Sequence, residues 1–79
     1  MREQIKQVMA RSLGVDAAGI ADDSSVDTMP EWDSLRHIEL MLALEMEFGV
    51  HISTDAMLEL LSLEAIERHL QGRSAAAVA

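Results

Sequence analysis

A chain of 79 residues makes one small domain. At this size folding buries only about 60–65% of the unfolded surface, so the core is thin and there is little room for a deep catalytic cleft. The net charge of −8 disfavours nucleic acid and anionic membrane surfaces as partners, and the absence of cysteine removes disulfides, thiolate metal sites and a thiol nucleophile.

The apolar residues are mostly Leu, Ile, Val, Met and Ala, with Trp32 and Phe48 the only aromatics. They suit a helical core, and no β-branched run predicts a sheet. From Glu3 to Leu13 the residues Ile5, Val8, Met9 and Leu13 fall on one helical face, and Gly14 follows as a C-terminal cap. Val15 to Asp33 has no clear period. It reads as a long loop laid over the core by Val15, Ile20, Val26 and Met29, with one helical turn near "DDSS".

Asp33 suits the N-cap of the strongest helix, Leu35 to Phe48, which Gly49 ends. Ser53 caps a short third helix over Thr54 to Leu60. Ser62 caps a fourth over Leu63 to Gln71, which is expected to stop at Gly72. The expected fold is an all-α, small four-helix bundle with a long loop between its first two helices. Residues 1–72 form the domain, and 73–79 are expected to be a flexible tail.

The charge is unevenly placed. Residues 15–67 hold 13 acids against one base, Arg36, for a net of −12. Basic protein surfaces are the expected partners. "MREQIKQVMA" is too polar for a signal peptide, and no apolar run approaches the roughly 20 residues of a membrane span, so a cytoplasmic protein is expected.

Ser34 stands between an acid and a leucine at the mouth of the second helix. A serine nucleophile needs a base, an orienting acid and an oxyanion hole. The chain has no G-x-S-x-G elbow, and only His37 lies close to Ser34 in sequence, so an enzyme is not expected. A calcium loop in "DDSSVDTMPEWD" fails on detail. Counted from Asp22 the sixth position is Asp27, and counted from Asp23 the sixth is Thr28 and the twelfth Ser34, where Gly and Glu are needed. The histidines are too scattered for zinc, so no metal is expected. Modification is the third possibility. Helix N-terminal N–H groups and the positive end of the macrodipole favour a phosphate group on Ser34. From "DSL" alone, plain helix capping by Asp33 and Ser34 is the stronger reading.

The segment "DSLRHIELMLALEMEFGVHIS" closely resembles the second helix and following loop of acyl carrier proteins. The matching residues are Asp33, Ser34, Leu35, Glu39, Leu40, Ala43, Leu44, Glu45, Glu47, Phe48 and Ile52. The resemblance implies a carrier. A phosphopantetheinyl transferase would attach 4′-phosphopantetheine from coenzyme A to Ser34, flanked by Asp33 and Leu35, and the arm would hold an acyl or aminoacyl group as a thioester. It also implies a loading ligase and downstream acyl-processing enzymes with basic surfaces, and a monomer. The competing reading is an unmodified acidic helical adaptor for a basic protein.

Leu35, Glu39, Leu42 and Met46 lie 4, 3 and 4 residues apart and form one stripe. In the family such a stripe meets partner enzymes, while Leu40, Met41, Leu44 and Phe48 fall toward the core. Ordinary core packing of Leu42 and Met46 is the alternative. Glu39 and Glu45 are expected to be exposed charges read by a partner's Arg or Lys.

Two departures from fatty-acid carriers stand out: Arg36 and Met46 occupy positions where those proteins usually have acids. "PEW" also replaces their usual Gly-rich approach to the motif. Small stand-alone carriers with dedicated loading ligases, including aminoacyl and glyceryl types, are similar in having an aromatic there, and polyketide carriers also fit. The starting Met and single-domain length suggest a discrete protein. Trp32 has two roles open, packing on the loop or meeting the arm and the loading enzyme as an exposed contact.

Overall fold

The computed structural model describes residues 1–78, with side chains described through Gly72. Among the described residues the chain forms four α-helices: α1 (Arg2–Leu13), α2 (Ser34–Phe48), α3 (Thr54–Met57) and α4 (Leu63–Val78). It is the all-α bundle with a long first loop that the sequence predicts.

Helix α1 buries Ile5, Val8, Met9 and Leu13, the four residues its period places together. It ends at Gly14, whose φ of 70° lies in the left-handed region that favours glycine and whose N–H donates to the Ala10 carbonyl. Helix α2 buries Leu40, Met41 and Leu44, and Gly49 closes it in the same way at φ 63°. Helix α4 adds Leu63, Ile66 and Leu70, so one core lies between α1, α2 and α4. Phe48 is only partly buried at its edge.

The loop between α1 and α2 is laid over this core as expected. Ile20 is buried, and Val15, Val26 and Met29 pack against the cluster. Its helical element is placed differently. A single 3₁₀ turn covers Ala17–Gly19, upstream of "DDSS", because the Asp16 carboxylate accepts from the Ala18 N–H and starts a turn there.

Two backbone bonds then fasten the loop to the other side of the molecule. The Val26 N–H donates to the Leu61 carbonyl at 3.0 Å, and the Leu63 N–H donates to the Ser24 carbonyl at 2.9 Å. These frame an isolated antiparallel bridge between Ser25 and Ser62.

That bridge explains a correction to α3. The helix ends at Met57, not Leu60. Beyond it the chain passes through tight turns, turning Leu60 into the core and leaving Leu58 and Leu61 outside. The pull of Leu61 and Leu63 toward the loop is incompatible with continuing the helix. Ser53 and Ser62 act as predicted, each side chain accepting a backbone N–H of the following helix from Ala56 and Ala65. Helix α4 is not ended by Gly72, since its backbone runs to Val78. The flexible tail expected for 73–79 falls on residues outside those whose side chains are described.

The basic residues of α1 find acids from elsewhere. Arg2 pairs with Glu67 and Asp22, Lys6 with Asp22, and Arg11 with Glu47. The hydrogen bond to Glu67 raises the Arg2 pKa, and the bond from Lys6 holds the Asp22 carboxyl below its ordinary value. Charge is therefore neutralised at the α1 end. Around the start of α2, Glu31, Asp33 and Glu39 have no ion-pair partner among the described residues.

Candidate functional site

Helix α2 starts at Ser34 because Asp33 caps it. Asp33 has extended backbone, and its carboxylate accepts the Arg36 N–H at 2.9 Å. Its carbonyl accepts the His37 N–H at 2.8 Å. Ser34 is thus the first helical residue, and its N–H and that of Leu35 are among the first-turn donors that lack intrahelical partners. The Ser34 side chain is exposed and, among the described residues, its hydroxyl makes no hydrogen bond.

His37 is not available as a base for Ser34. Its Nδ1 accepts from the Trp32 indole N–H at 2.9 Å, and its Nε2 lies 2.7 Å from the Met57 carbonyl. Both ring nitrogens are engaged away from the hydroxyl. A Ser–His dyad is thereby removed on geometry.

Beside Ser34 the surface opens into a groove of about 530 Å³ between the start of α2 and the segment after α3. Val26, Trp32, Ile38, Leu58 and Leu61 make its apolar lining, and Asp33, Ser34 and His37 complete it. A phosphodiester on Ser34 would meet the free amides and positive end of α2. A chain extending from it would run beside an apolar wall. The residues present fit a phosphate-linked arm.

The remaining residues singled out by sequence divide into three groups. Leu35, Leu42 and Met46 are 68%, 51% and 86% exposed, and Arg36 and Glu39 are exposed as well, so the predicted stripe stands on the surface and ordinary core packing does not apply to it. Arg36 bonds the Glu31 carbonyl across the turn before the helix.

Glu45 is a correction. It is not a free surface charge, because its carboxylate accepts the Ile52 N–H at 2.7 Å, faces His51, and keeps only 19% of its side chain exposed. It holds the loop after α2 against the helix.

Of the two roles open to Trp32 the structure shows packing: it is 3% exposed, its ring packs into the domain, and its only polar atom is taken by His37, so the alternative of an exposed contact is corrected.

Ile38, Leu58 and Leu61 were missed by the reading of the sequence. Ile38 follows the exposed stripe at three residues from Leu35, a signal that was present. The exposure of Leu58 and Leu61 depends on the turns after α3 and had no such signal.

With this geometry in place, the sequence matches the family described as "Phosphopantetheine attachment site" over residues 3–70. The chain belongs to that family, whose members are carrier domains with covalently attached 4′-phosphopantetheine, not catalysts. Carriers of this kind interact with a phosphopantetheinyl transferase and with acyl-processing enzymes. Among the described residues no helix is long and apolar enough to cross a membrane.

Proposed function

We propose that Ser34 is the attachment residue, and that the chain holds an acyl or aminoacyl group as a thioester for a dedicated loading ligase and the enzymes that follow it. The observation that carries this reading is an exposed, unbonded hydroxyl on the first residue of α2, beside free helix amides and an apolar groove. In the transfer, the Ser34 Oγ–phosphorus bond forms and the pyrophosphate bond of coenzyme A breaks. Adenosine 3′,5′-bisphosphate leaves, and the hydroxyl proton passes to a base on the transferase. Once attached, the arm supplies the thiol that this cysteine-free chain lacks.

The chain's own residues bind and orient. Asp33 fixes the start of α2 and so the direction of Ser34. The exposed Leu35, Leu42 and Met46 offer an apolar stripe, with Glu39 as the acid beside it. Arg36 and Met46 make this face less acidic than a fatty-acid carrier's, which favours a partner that uses apolar contact and fewer basic residues.

Incubation with coenzyme A, Mg²⁺ and a broad-specificity phosphopantetheinyl transferase should add one arm by intact mass. Ser34→Ala should abolish the addition with helical content unchanged. Addition at Ser12, Ser53 or another serine overturns the assignment. A wild-type chain that accepts no arm returns the acidic adaptor as the better reading.

A further inference from the structure

The loop before α2, α2 itself and α3 are joined through one imidazole. An indole N–H only donates, so the His37 Nδ1 that meets it at 2.9 Å must be unprotonated and accepting. The ring proton therefore sits on Nε2, where it donates to the Met57 carbonyl at 2.7 Å. Met57 is the last residue of α3, at the end where helix carbonyls lack intrahelical partners. Helix α3 is a single turn of four residues, too short to persist on its own hydrogen bonds. His37 thus caps α3 with one nitrogen and holds the buried Trp32 with the other. It stands three residues after Ser34 on the same helix face, where side chains are neighbours. All three side chains, Trp32, Ser34 and His37, line the same groove.

Building on the assignment of the arm to Ser34, we propose that His37 is a positioning residue, the neutral Nε2–H tautomer of which links the Ser34 site to α3 through Trp32 and the Met57 carbonyl. An arm leaving Ser34 runs along the groove wall that Trp32 and His37 build. A displacement of either ring is felt at the end of α3 because the same imidazole is bonded there. The groove keeps its shape, and α3 its position beside the attachment site, while both bonds hold.

The test uses the full ¹⁵N-labelled chain by NMR, before and after attachment of the arm. The His37 ring should show the Nε2–H tautomer. Attachment should shift the Trp32 indole resonance together with the Leu58 and Leu60 amides, which close the turns after α3. In His37→Phe, amide exchange at Leu58 and Leu60 should accelerate by roughly 3–10-fold, the change expected for one lost hydrogen bond, with α1 and α4 unaffected. Their response to the arm should vanish while that of the start of α2 persists. His37→Gln, which keeps an amide donor for Met57, should restore the slow exchange. Trp32→Phe, which removes the indole donor along with part of the ring, should uncouple the arm from α3 should the first variant fail to fold. An Nδ1–H tautomer, exchange that rises equally throughout the bundle, or an α3 response that survives loss of His37 each overturns the proposal. The tautomer and exchange measurements do not involve the arm, so failure of attachment at Ser34 is read separately by mass.

Discussion

The two faces of α2 are built from the same kinds of residue and meet opposite surroundings. Leu40, Met41 and Leu44 are closed into the core, whereas Leu35, Ile38, Leu42 and Met46 stand in solvent. Hydrophobicity therefore does not by itself assign a side to this helix. The other helices pack against one face only, and the long loop and the segment after α3 reach just far enough to form a groove at its start. Several large apolar side chains kept on one exposed helix face are what the proposed partner contact would use.

The comparison breaks first in the core. Leu44→Ala should cost about 2–5 kcal/mol, a large fraction of what a thin domain has, and a urea titration should show the loss as a lower midpoint. Glu45→Ala should come next. It leaves the Ile52 N–H without its acceptor, and should cost about 1–3 kcal/mol by the same measurement, loosening the loop after α2. Met46→Glu sharpens the contrast. At an exposed position the stability read from a thermal melt should stay within about 0.5 kcal/mol of wild type, while loading by the cognate ligase falls. A collapse of the melt would place Met46 in the core after all.

The smallest effect concerns pH. Lys6 holds the Asp22 carboxyl below its ordinary value, so Asp22 favours the folded state when ionised. That contribution is complete above the ordinary carboxylate pKa of about 3.9 and is lost as the pH falls through the depressed value. Lys6→Met should flatten this acid limb slightly in urea titrations at stepped pH, since the Asp22 side is exposed and screened.

Much of this arrangement is readable from local sequence. The period of α1 and α2, the Asp33 cap, the capping serines and the stops at Gly14 and Gly49 depend on neighbours within a turn or two, and they appear where expected, whereas Gly72 does not stop α4. Ser34 stands out only because "DSL" opens a longer stretch that resembles a known helix, since the acid and hydroxyl alone read as a helix cap. What escaped depends on contacts between distant segments. The length of α3 follows from the bonds of Leu61 and Leu63 to the loop, and neither is visible in "TDAMLELL". Trp32 and His37 lie close in sequence, yet their pairing needs the loop to turn the indole inward. Glu45 looks like any surface acid until Ile52 folds back onto it.

The bridge between Ser25 and Ser62 also bears on the order of folding. Most contacts in a helical bundle are local and form early, but this one joins the middle of a long loop to a segment far along the chain. Its closure entropy must be met before its two hydrogen bonds return anything. Two backbone bonds are all that join the loop to the segment after α3 along this side of the groove, so this side is expected to open more readily than the core of α1, α2 and α4, on a timescale that amide exchange can follow.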